Sequence, residues 1–76
     1  MSSTREEGRN GTGIEALEML LRALAHEIES QAYLQMAVRL VDDPSLKEFL
    51  VQLLGQEQLH ETQLRARLRD RYSLDI

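Results

Sequence analysis

Leu40-Val41-Asp42-Asp43-Pro44-Ser45-Leu46 is the stretch on which the fold turns. Pro44 disfavours helical geometry at Asp43 and has no N–H to give to a continuing helix. It suits the first position of a new helix, and Asp43 before it is a good N-cap. Working backward, the chain from Ile14 to Val41 contains neither proline nor glycine and is dominated by Ala, Leu, Glu, Gln, Met and Arg, the strong helix formers. Thr12-Gly13-Ile14-Glu15 fits a capping box that would open this first helix at Thr12. Working forward, the same composition carries a second helix to about Arg71, interrupted only by Gly55. That glycine costs about 1 kcal/mol relative to alanine and suggests a close helix approach or a bulge. A junction this short between two long helices predicts an all-α, antiparallel two-helix hairpin over 12–71, with a disordered polar lead-in over 1–11 and a C-terminal tail over 72–76.

With 76 residues, no cysteine, no tryptophan and 4% aromatic content, the chain is one small domain. The absence of cysteine excludes a disulfide framework, a thiolate metal site and a cysteine nucleophile. The apolar runs are far shorter than the roughly 20 residues that span a bilayer, so no membrane partner is expected. Residues 1–10 lack the apolar core of a secretory signal, which points to a cytoplasmic location. A formal net charge of −4 argues against a nucleic-acid partner. Arg65, Arg67, Arg69 and Arg71 are read as favourable charge near a helix C-terminus.

Spacings of three and four along the first helix give Leu17, Leu20, Leu24, Glu27, Gln31, Leu34, Val38 and Val41. Along the second they give Leu46, Leu50, Leu53, Glu57, His60, Leu64 and Leu68, and neither stripe holds a lysine or arginine. A second apolar face, Leu21, Ala25, Ile28, Ala32 and Met36, adjoins the first on helix one. Two helices cannot enclose a core alone, so association is expected, and two hairpins make a four-helix bundle. The second face permits a larger ring of dimers.

Glu27, Glu57 and His60 are ionisable groups in the middle of apolar stripes, where an unpartnered charge is costly. Glu27 and His60 pairing with each other is one solution, and a twist that brings them to solvent is another. A third is a metal. Glu-x-x-His puts a carboxylate and an imidazole on one helical face. Di-iron carboxylate bundles use one glutamate from each of two helices and a Glu-x-x-His from each of the other two. One hairpin supplies half of that set and a two-fold dimer all of it. Oxygen donors with imidazole suit iron or manganese, with zinc or calcium as substitutes. The expected reaction is oxidation of Fe(II) to Fe(III). The contrasting expectation is a metal-free helical oligomerisation or interaction module, in which the same residues form a buried polar layer that sets register.

In its spacing from Glu27 through Asp43-Pro44 to Glu57 and His60, the stretch from Leu24 to Leu68 resembles the encapsulated ferritins of the ferritin-like superfamily. Rubrerythrins share the Glu-x-x-His, but carry their whole site in a single four-helix chain. The resemblance implies a ferritin-like bundle, a di-iron ferroxidase centre on Glu27, Glu57 and His60 shared between chains, and a role in iron storage or detoxification. It also implies an encapsulin shell protein as partner and a location inside an encapsulin nanocompartment. Glu29 matches a family glutamate associated with iron entry; read by itself it is a surface glutamate. The family's tryptophan-tyrosine pair is replaced here by Tyr33-Leu34, so the tyrosine near the metals is missing. Family members continue, past the position of Ile76, into a short third helix and a targeting tail.

Overall fold

The computed structural model describes the backbone from Ser2 and side chains from Gly13 to Ile76. It consists of two α-helices, α1 (Ser2–Leu40) and α2 (Pro44–Tyr72), with no strand among the described residues. The expected lead-in over 1–11 and the Thr12 cap lie outside the residues whose side chains are described. The chain reverses over Val41–Asp43, and the helices pack against each other as a hairpin.

The turn is built as its residues dictate. Val41 N–H still donates to Ala37 O at 2.9 Å, finishing α1. Asp43 then adopts an extended conformation (φ −68°, ψ 116°), as a residue before proline should. Its side chain accepts from Ser45 N–H at 3.3 Å, and its own carbonyl accepts from Lys47 N–H at 2.9 Å, so the cap satisfies the first turn of α2. At the far end Ser73 takes the left-handed conformation (φ 57°), a position usually given to glycine, and its N–H closes on Arg69 O at 2.9 Å. The Arg69 guanidinium also donates to the Ile76 carbonyl at 2.8 Å, drawing the last residues back along the helix.

The seam between the helices is apolar at both ends and polar in the middle. Leu24 and Leu68 are the core side chains, at 7% and 1% exposure. Leu17, Leu20, Leu50, Leu53 and Leu64 are half-buried along the same seam. The adjoining face of α1 is uncovered, with Leu21, Ile28 and Met36 each at least two-fifths exposed. On α2, Leu46, Phe49, Val51 and Leu59 are uncovered as well. A chain that buries so little apolar surface gains little hydrophobic stabilisation on its own.

Gly55 corrects its expectation. The helix runs through it without a bulge, and a Cβ built there would have nothing within 4 Å, so within this chain it permits neither a close approach nor a distortion. No helix among the described residues is long and apolar enough to cross a membrane.

Candidate metal centre

Midway along α1, Glu27 follows Leu24 on the seam and faces α2, which brings Glu57 and His60 from one turn of helix. The three side chains each offer one donor atom, and these atoms lie within 4.8 Å of one another. His60 Nδ1 is 3.7 Å from Glu27 Oε1, too long for a hydrogen bond and close enough for an ion pair when the imidazole is protonated. The group therefore assembles from both helices.

Its electrostatics are unsatisfied. Glu27 Oε2 is buried without a hydrogen-bond partner, and the Glu27 side chain is only 24% exposed. The Glu27 carboxyl is held above its ordinary range, first because a proton on it is shared in a hydrogen bond with the Glu57 carboxylate, then because burial disfavours its charge. The Glu57 charge acts in the same direction, and His60 acts against it. Two carboxyl groups facing each other, one of them pushed toward its neutral form, is an arrangement whose repulsion a bound cation would relieve. His60, at 54% exposure, sits at the open side of the seam. The donor set thus opens onto the flank of the hairpin.

Glu29 stands outside this group. Two residues along a helix turn the side chain about 200° away, and Glu29 is exposed beside Arg22, Ala25 and His26 on another side of α1. His26 is exposed too, as its position off the stripe implies.

One acidic residue of the seam was not foreseen. Glu61, half-buried, takes the place beside Glu57 that the spacing assigned to His60. Gln31 Nε2 donates to Glu61 Oε1 at 2.6 Å, and Arg65 Nε donates to Glu61 Oε2 at 2.8 Å. These bonds, with burial opposing them, hold the Glu61 carboxyl below its ordinary range. Arg65 corrects one expectation: its charge serves Glu61 rather than the end of the helix, while the stripes themselves hold no lysine or arginine. The sequence signals were present, as Glu61 and Arg65 are four apart and Gln31 lies one turn beyond Glu27.

Comparison of the chain with protein-family models, curated proteins and solved structures yields no match. What is said of function therefore rests on the residues and their geometry.

Proposed function

We propose that two of these hairpins pair into a four-helix bundle and that Glu27, Glu57 and His60 of both chains form a di-iron carboxylate centre that oxidises Fe(II) to Fe(III). The observation that carries this reading is the buried Glu27 Oε2, which has no hydrogen-bond partner among the described residues while a second carboxylate and an imidazole stand within 4.8 Å. A half-set of ligands that opens at one side and is flanked by uncovered apolar surface fits a second copy as the other half.

Bound iron would supply one-electron steps from two ions acting together on an oxidant such as dioxygen, with Fe(II) as the substrate. The chain's own part is to present Glu27 and Glu57 as carboxylates, to offer the His60 imidazole as a nitrogen donor, and to keep the apolar layers of Leu24 and Leu64 around them. Oxidation at a centre of this size leaves ferric product to be stored elsewhere. The resemblance to encapsulated ferritins makes an encapsulin compartment the proposed destination, and Glu29 a proposed outer station for entering iron.

The contrasting reading, a metal-free register-setting layer, has its own support in the 3.7 Å approach of His60 to Glu27. Metal content after aerobic purification, with an Fe(II) oxidation assay on the same sample, separates the two. A ferroxidase retains iron and turns over. A protein that binds no iron and leaves Fe(II) oxidation at the buffer rate is the interaction module.

A further inference from the structure

Three carboxylates share the middle of the seam, and the fold treats one of them differently. Glu61 is one turn beyond Glu57 and next to His60, close enough that its charge acts on Glu27. Its carboxylate borders the donor group of Glu27, Glu57 and His60 without belonging to it. Both of its oxygens are taken, one by the Gln31 amide and the other by the Arg65 guanidinium, whereas Glu27 keeps a buried oxygen without any donor.

We infer that Gln31 and Arg65 form a clamp that withholds the Glu61 carboxylate from the metal centre, fixing each chain's ligands at two carboxylates and one imidazole and thereby setting which cations the centre prefers. This inference rests on the metal-centre reading. A carboxylate that accepts two N–H bonds, one of them charge-assisted, is a poor donor to a cation until those bonds are broken. Released, it adds hard oxygen to the set. Cations that take six to eight oxygen ligands, calcium above all, gain from that addition. Cations that favour imidazole and lower coordination numbers gain little. Gln31 and Arg65 are thus positioning residues that act through Glu61, and selectivity is the property they control.

The test compares Ca2+ and Co2+ binding to the full chain, Co2+ being followed by its visible absorption. Gln31→Met with Arg65→Met keeps an unbranched apolar stem at each position, removes both donors and frees Glu61. This double variant should shift the ratio of affinities toward Ca2+ by about tenfold or more. Adding Glu61→Gln to it should return the ratio to the wild-type value, and Glu61→Gln alone should leave the ratio unchanged. A ratio that does not move in the double variant overturns the inference. So does a shift that persists in the triple variant, since the clamp would then act on packing alone. Should the double variant lose its helical circular dichroism, Gln31→Met alone must move the ratio in the same direction, and no movement again overturns it. Failure of the underlying metal reading is seen separately, in wild-type protein that takes up neither cation.

Discussion

Glu27 and Glu61 are the same residue type on the same seam, yet one is completed by its own chain and the other is not. Glu61 has an amide and a guanidinium, and its carboxyl is held low. Glu27 has another carboxylate opposite it and an oxygen with no partner, and its carboxyl is held high. The difference teaches where to look for function: an amide and a guanidinium from its own chain satisfy Glu61, and a part-buried carboxylate left without such partners is the candidate site.

The hardest test of that contrast is to delete each side of it. Glu27→Ala and His60→Ala should each lower Fe(II) oxidation by about a hundredfold or more while circular dichroism shows the helices retained. Glu61→Gln should leave most of the activity. If all three variants oxidise Fe(II) alike, the two carboxylates are not different in kind.

Thermal melts with iron and with chelator come next. A site that binds only the folded protein stabilises it by about 2.7 kcal/mol when the free ion is a hundred times its dissociation constant. Iron should therefore raise the melting temperature of the wild type well above that of Glu27→Ala. Equal shifts would place the iron elsewhere.

The pH dependence of the metal-free protein sharpens the comparison, because the two carboxyls contribute with opposite sign. Glu27 has a raised folded-state pKa, so its contribution is present at acid pH and is lost as pH rises through that raised value. Glu61 has a lowered one, so its contribution is present above the ordinary glutamate range and is lost as pH falls through the lowered value. Denaturation curves in chelator should show Glu27→Gln removing the loss on the alkaline side and Glu61→Gln removing the loss on the acid side. The smallest effect is expected at Gly55, where alanine meets open space in this chain and should stabilise α2 by about 1 kcal/mol. Destabilisation in the assembled protein would instead show a second chain lying against it.

Most of the hairpin was legible because its signals are local. Asp43-Pro44 acts through backbone sterics and a side-chain cap that need no tertiary context, and α2 starts at Pro44 and ends at Tyr72, one residue from its expected end. Glu27, Glu57 and His60 were legible as polar breaks in apolar stripes. Glu61 was not, and the reason is angular. From Glu57, a step of three and a step of four both stay near the same face of a helix, and the Glu-x-x-His pattern favours the first. The packing favours the second: Glu61 turns inward toward Gln31 and His60 stands at the rim. The proposed association and chemistry would need a second chain and a cation, and a hairpin taken alone displays neither.

The three-residue reversal at Val41–Asp43 has a consequence in time. Its ends are brought together with almost no intervening chain, and every long-range contact joins two consecutive helices. Such topologies fold within microseconds to milliseconds. Meeting a second copy is second order, and at micromolar concentration an ordinary association rate constant gives about 0.1 to 10 encounters per second. Each chain would therefore meet any second copy with Glu27, Glu57 and His60 already gathered.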